Sequence, residues 1–221
     1  TYAAMVTRAD RHFGRLLEAL KESGLDENTV VFLTSDNGGV DAKSRKSDRF
    51  ASNGKLRGAK GNLYEGGIRG PMMVRWPGVV KPKTESAVPW AFYDFFPTAC
   101  EIAGARAPRG LDGRSVVPLL RGDVFDAERP LYWEFFPFDF RNQRYRLEAL
   151  QQAVRAGGWK AVRPGPEKPV ELYDLSADVS ESRNAAPDHP ELVKKLEGAM
   201  RMEHTEPRKP EGELSLTFAA G

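Results

Sequence analysis

From Tyr2 to Leu20 the apolar side chains fall at Tyr2, Met5, Val6, Phe13, Leu16, Leu17 and Leu20, close to the i, i+3, i+4, i+7 spacing of an amphipathic helix. Gly24 ends that pattern and Asp26-Glu27-Asn28 is a turn. The run Thr29-Val30-Val31-Phe32-Leu33-Thr34 has no polar alternation and is rich in β-branched residues, which predicts a strand buried on both faces in an αβ unit of a mostly parallel sheet. Pro71–Trp76 predicts another strand, closed by Pro77-Gly78. Ala91–Ala103 predicts a helix with Asp94 near its start, Pro97 tolerated only in its first turn and Gly104 as its stop. Beyond residue 125 the pattern changes to short strand-like runs at 130–136, 152–155, 159–163 and 170–175, separated by Gly and Pro as in an antiparallel sheet. A helix at Pro190–Met202 follows, with Asp188 as its expected cap, and residues 205–221 lack periodicity. The expected fold class is therefore α/β. Residues 1–125 form the C-terminal part of a mostly parallel α/β sandwich sheet, 126–204 a small antiparallel-sheet-plus-helix domain, and 205–221 a loose tail.

Composition narrows the function classes. The 221 residues carry 33 Lys+Arg against 31 Asp+Glu, a formal charge of +2, and both signs alternate along the chain, so there is no basic face for nucleic acid. No apolar run approaches the roughly 20 residues that cross a bilayer, and no membrane span is expected. One cysteine, Cys100, excludes an internal disulfide and a cysteine-based zinc site. The first residue is Thr1, and no charged segment followed by an apolar one opens the chain; the reading expects a longer protein of which this is the C-terminal part.

The chemistry concentrates in two places. Ser35-Asp36-Asn37-Gly38-Gly39 directly follows the first strand, at the carboxyl end where open α/β sheets keep their sites. Asp36 and Asn37 can offer hard oxygens to one divalent cation such as Ca²⁺ or Mg²⁺, and the same dipeptide equally suits an Asx-type turn bonded to local backbone. Residues 40–70 hold six glycines (Gly54, Gly58, Gly61, Gly66, Gly67 and Gly70), and ordered glycine-rich connections of this length are usually functional. Lys60 stands between Ala59 and Gly61, where backbone can approach an anion and the ammonium can act on it as a point charge; a solvated loop lysine is the alternative.

The strings from Tyr2 to Gly39, SNGKLRGAKGNLYEGGIRGPMMVRWPG, YDFFPTACEIAGA, LDGRSVVPLL and LYDLSADVSESRNAA occur in one order. Together, over about residues 1–200, they closely resemble the C-terminal half of the type I, formylglycine-dependent sulfatases of the alkaline phosphatase superfamily. The resemblance implies hydrolysis of a sulfate ester to alcohol and sulfate. It implies one Ca²⁺, bound in part by Asp36 and Asn37 and completed upstream, and a sulfate contact by Lys60 as substrate-binding and catalytic residue. The family's formylglycine arises from Cys or Ser in a C/S-x-P-S-R string that has no match here; Cys100 lies inside a predicted helix and is not that nucleophile.

The reading therefore expects the nucleophile in a missing N-terminal half of the same protein, no turnover from this chain alone, a sulfated small molecule or sulfated glycan as substrate, and a periplasmic or secreted location. The alternatives are a phosphodiesterase or phosphonate monoester hydrolase of the same superfamily, which uses similar strings with a different metal, and an inactive structural fragment. Other residues receive structural readings. His12, His189 and His204 are structural or solvated, and Glu65 and Arg69 brace the loop by ion pairing, with substrate contact the alternative. Trp133, Phe135, Phe136, Phe138 and Phe140 are packing aromatics, with a substrate cleft the alternative, and Arg141, Arg144 and Arg146 sit on a solvated loop, with contact to a polyanionic sulfated glycan the alternative.

Overall fold

The structure is a computed structural model, and it describes residues 2–40 and 50–206. Most of the expected tail, residues 207–221, lies outside the described residues. Helix α1 spans Tyr2–Glu22 and ends where the periodicity stops. Gly24 adopts φ +67°, and the Gly24 N–H to Lys21 and Leu25 N–H to Leu20 bonds (3.0 and 2.9 Å) satisfy the last carbonyls in a Schellman arrangement. None of α1 is buried; Met5 and Leu16 of its apolar face stand open among the described residues. No described helix is long and apolar enough to cross a membrane.

Strand β1 (Val31–Thr34) pairs with β2 (Met72–Arg75), Val31 opposite Arg75 and Thr34 opposite Met72. The pair is antiparallel, where the sequence led to the expectation of a parallel unit. The chain leaves β1 and enters β2 at the same end, through the glycine-rich segment and the short helix α2 (Glu65–Ile68), without the crossover that parallel strands require. A β-branched run reports burial and says nothing about the direction of its partner. Nor is β1 buried on both faces within the described chain: Val31, Phe32 and Leu33 are half-buried and Thr34 is exposed.

Helix α3 (Phe95–Ile102) follows a 3₁₀ turn at Phe92–Asp94, with Pro97 in its first turn and Gly104 at φ +66° beyond its end, as expected. Asp94 is fully buried and does more than sit near the start: its carboxylate accepts from the Ala91 and Arg114 N–H groups (2.8 and 2.9 Å) and pairs with the buried Arg129. One turn later Thr98 Oγ1 donates to the Asp94 carbonyl (2.6 Å) and accepts from Val116 N–H (3.0 Å), which fixes helix α4 (Val117–Arg121) beside α3.

The remaining strands are β3 (Leu131–Phe135), the small hairpin β4 (Phe138–Asp139) and β5 (Arg144–Tyr145), then β6 (Gln151–Ala156), β7 (Trp159–Arg163) and β8 (Glu171–Asp174). The four-stranded sheet has the order β3-β6-β7-β8 with every neighbour antiparallel. Its two faces separate by the period of two. Val154, Ala161 and Leu172 pack against Leu196 and Met200 of helix α5 (Pro190–Glu203). On the other face Ala153, Val162 and Tyr173 pack against Leu63, Tyr64 and Ile68 of the glycine-rich segment. Asp188 is not the cap of α5. The N-cap is His189, Pro190 opens the helix, and Asp188 lies in a 3₁₀ turn where it accepts from Arg183 (2.9 Å).

His204, just past α5, places Nδ1 at 2.7 Å from Glu134 Oε2 on β3, joining helix and sheet edge. That hydrogen bond holds the imidazole above its usual range against a smaller effect of burial. A pKa raised on folding makes the pair's contribution complete below the unfolded value of about 6.5 and lost as pH rises through the folded one. His204→Ala should therefore lower Tm by about 2 °C or more at pH 5.5, the gap closing toward pH 9. Thermal melts across that range check this, and a pH-independent gap would contradict it.

Candidate functional site

Beyond the end of β1 the chain turns sharply. Ser35 Oγ donates to the Asn37 carbonyl (2.9 Å), and Asn37 Nδ2 donates to the carbonyl of Gly38 (2.8 Å). This is not the Asx-type turn raised by the sequence, in which both side chains would bond local backbone: only Asn37 does so, through its amide nitrogen. Asn37 Oδ1 and the exposed Asp36 carboxylate receive no hydrogen bond from any described residue. Two hard oxygen donors stand adjacent, which suits Ca²⁺ in ligand type, and they are too few to complete its six to eight oxygens. Among the described residues no group of three or more His, Cys, Asp or Glu could hold a metal ion, so the expected cation needs further ligands.

The glycine-rich segment comes to this turn through its backbone. Gly38 N–H donates to Gly67 O and Lys60 N–H donates to Gly39 O, both at 2.9 Å. Asn53 adds a side-chain clamp, accepting from Gly39 N–H (2.7 Å) and donating to the carbonyls of Gly39 (3.2 Å) and Gly58 (3.0 Å). A Cβ on Gly38 would overlap the Gly66 carbonyl, so the approach of the two segments requires glycine. Gly61, beside Lys60, takes φ +98°, which turns the chain directly after the exposed lysine. Asp36, Asn37 and Lys60, picked from separate stretches of sequence, are thus parts of one hydrogen-bonded unit.

Beneath that unit lies a buried charge cluster that the sequence reading did not foresee. Lys160 Nζ is 2.9 Å from Glu65 Oε1 and 2.9 Å from Glu181 Oε1, with Lys160 and Glu181 fully buried and Glu65 3% exposed. The Glu65 contact is an aligned hydrogen bond; the Glu181 contact is close in distance only, and Glu181 Oε1 has no aligned donor. Arg155 and Arg69 each lie 3.7 Å from Glu65 Oε2, so the bracing of Glu65 by Arg69 holds, with Lys160 the closer partner. Glu181 Oε2 accepts from Glu65 N–H (2.7 Å) at the start of α2. Burial pushes the Glu181 carboxyl up, opposed by the charge of Lys160. One signal for Lys160 was in the sequence: in Trp159–Arg163 it shares the inward face with Val162, where a lysine needs a partner.

Around the cluster, Arg57 packs over the Tyr64 ring (3.9 Å to its centroid) and donates to Tyr173 Oη (2.6 Å), while Tyr64 and Tyr173 both donate to Glu171 Oε2 (2.6 Å each). Burial pushes both phenols up first, and the Glu171 hydrogen bond adds to it.

The residues given structural readings behave so. His12 is exposed and accepts from Arg8, His189 packs edge-on against Trp159 at 4.9 Å, and His204 pairs with Glu134. Phe135 packs on the sheet face over Leu63, and Phe138 meets Phe140 and Tyr145 edge to face. Trp133 packs there too and also lines a cavity of about 400 Å³ with Trp90, Arg69 and Arg155; Asp36, Asn37 and Lys60 do not line it. Arg141, Arg144 and Arg146 are exposed, the last two near Glu148. Cys100 is half-buried within α3.

The chain matches known proteins over most of its length. The Sulfatase family profile matches residues 1–105, which contain Asp36, Asn37 and Lys60, and the profile described as N-sulphoglucosamine sulphohydrolase, C-terminal, matches residues 59–206. Mouse (Mus musculus) steryl-sulfatase is 35% identical over 234 residues, covering 90% of this chain and 36% of its own length. The structure of Ps i-CgsB in complex with k-i-k-neocarrahexaose superposes with a TM-score of 0.76 at 29% identity, over 91% of this chain and 42% of that one. The phosphonate monoester hydrolase of Agrobacterium radiobacter gives 0.63 at 26% identity, over 91% and 39%. The chain thus spans well under half the length of these relatives. Two profiles that together run from residue 1 to 206, and the shared α/β fold, show that the chain belongs to the type I sulfatase family of the alkaline phosphatase superfamily.

Proposed function

We propose that this chain is the C-terminal portion of an enzyme that hydrolyses a sulfate ester to alcohol and sulfate, the ester being a sulfated small molecule or sulfated glycan. The observation that carries the reading is the pair of backbone bonds, Gly38 to Gly67 and Lys60 to Gly39, that joins the ammonium-bearing loop to the Asp36-Asn37 turn. Asp36 and Asn37 Oδ1 would hold one Ca²⁺ together with ligands from the rest of the protein; when bound, the cation supplies positive charge against the sulfate oxygens. Lys60 binds a sulfate oxygen and stabilises negative charge that grows as the ester bond breaks, its backbone held beside the turn by the bond to Gly39. The rigid, glycine-lined turn orients both groups.

In this reading residues 1–125 complete the catalytic α/β domain and 126–204 form a small α+β domain behind it. The formylglycine nucleophile belongs to the missing N-terminal half, the 221 residues alone do not turn over, and the whole protein works in the periplasm or outside the cell, where calcium is plentiful. The superposition on a phosphonate monoester hydrolase supports the second reading, a phosphoryl ester or phosphonate substrate at the same site.

A parallel assay of the full-length protein on an aryl sulfate and an aryl phosphodiester chooses between these, and a preference for the phosphodiester by more than about tenfold, 1.4 kcal/mol in barrier, would overturn the first. Lys60→Ala should lower kcat/KM by roughly two to three orders of magnitude with calcium retained, and Lys60→Arg should rescue poorly because a planar fork does not replace a compact charge. Asp36→Ala should lose both turnover and bound calcium, Asn37→Ala less of each. Effects at Lys60 under about threefold, or unchanged calcium stoichiometry in Asp36→Ala after dialysis against a weak chelator, would contradict the assignments.

A further inference from the structure

Glu181 touches the segment that carries Lys60 at both of its ends. Its carbonyl accepts from Arg57 Nη1 (3.0 Å) and its carboxylate accepts from the Glu65 N–H (2.7 Å), with Lys60 between those two positions. From Glu65 the connection continues to the site: Gly66 N–H bonds Arg57 O (2.7 Å), and Gly67 O takes the Gly38 N–H (2.9 Å). Glu181 itself is fully buried and sits at φ +51°, a left-handed conformation that costs a side-chain-bearing residue energy and persists only where the surroundings enforce it. What enforces it is visible. Asp178 caps the loop ahead of it, accepting from Ser182 N–H (2.7 Å) and Arg183 N–H (2.9 Å), and Lys160 stands 2.9 Å from the Glu181 carboxylate. A strained residue has been placed so that one side chain and one carbonyl hold two points of the loop, in addition to the packing of Leu63 and Tyr64 and the Glu65–Lys160 pair.

We infer that Glu181 is a positioning residue, a two-point staple from the antiparallel sheet that fixes the segment 57–65 and thereby the place of Lys60 beside the Asp36-Asn37 turn. The inference rests on the proposed role of Lys60 and goes beyond it by naming what holds the ammonium. Glu181→Gly is the informative variant. Glycine adopts the positive φ without strain, and Lys160 keeps Glu65 as its one-to-one partner, so the sheet remains folded while the carboxylate end of the staple is lost.

In the full-length protein assayed with an aryl sulfate, Glu181→Gly should lower kcat about 10- to 100-fold, the effect of misplacing a catalytic group by about 1 Å. In a Lys60→Ala background the same Glu181→Gly change should alter kcat/KM by less than about threefold, since two residues acting through one group do not add. Hydrogen–deuterium exchange supplies a readout independent of turnover: the 57–67 segment should exchange at least about tenfold faster in Glu181→Gly, with the α5 segment 190–203 unchanged. Undiminished loss in the Lys60→Ala background, or unaltered exchange at 57–67, would each overturn the staple. A parent that hydrolyses no sulfate ester would instead overturn the proposed function, and the exchange measurement would still decide whether Glu181 holds the loop.

Discussion

Lys160 has no access to water, and two carboxylates lie 2.9 Å from its ammonium, one from the glycine-rich segment and one from the loop after β8. Taking each of these ions out of water costs several kcal/mol, and such a cluster persists only where geometry and additional hydrogen bonds offset that cost. Here Arg155 and Arg69 face the outer oxygen of Glu65, and the Glu65 N–H satisfies one oxygen of Glu181. The arrangement has little tolerance: without Lys160 two buried carboxylates would face each other, a loss of about 3–5 kcal/mol by analogy with broken buried pairs. What the cluster contributes is a fixed relation between two parts of the chain. The sheet presents Lys160, the loop presents Glu65, and the packing of Leu63, Tyr64 and Ile68 over Val162 and Tyr173 excludes water from between them.

The candidate site inherits its order from that contact. Lys60 and Asp36 are both exposed, and exposed side chains on loops are held by little of their own. Their backbones are held: Gly38 lies against Gly66 and Gly67, Asn53 bonds Gly39 and Gly58, and Lys60 N–H reaches Gly39. Glycines permit the close approach, and the buried ions behind α2 keep it in place. Flexible chemistry on a rigid support is the usual division of labour in loops that carry function.

Much of this was legible in the sequence. The helix from Tyr2, the strands near 31, 72, 131, 151, 159 and 171 and the last helix all follow from periodicity and from Gly and Pro as stops, because local side-chain spacing decides local structure. Asp36, Asn37 and Lys60 were candidates by their place after a strand and among glycines, where a local turn and a solvated lysine fitted as well; their roles came from the family resemblance. The antiparallel pairing of β1 with β2 was not legible, since strand direction depends on a connection of 37 residues whose course no local pattern records. Glu181 gave no signal either; its importance lies in a left-handed backbone angle and in partners more than 100 residues away. Asp188 misled because a good capping residue one position too early bonds elsewhere.

The central claim is spatial: one cation at Asp36 and Asn37, and the Lys60 ammonium beside the anion that this cation faces. Crystals of the full-length protein grown with calcium and soaked with sulfate, with anomalous scattering to locate the ion, measure this directly. The account requires calcium at about 2.3–2.6 Å from oxygens of Asp36 and Asn37 and a sulfate oxygen within about 3.2 Å of Lys60 Nζ. Calcium bound without either residue, or Lys60 directed into solvent while sulfate occupies the site, would contradict it.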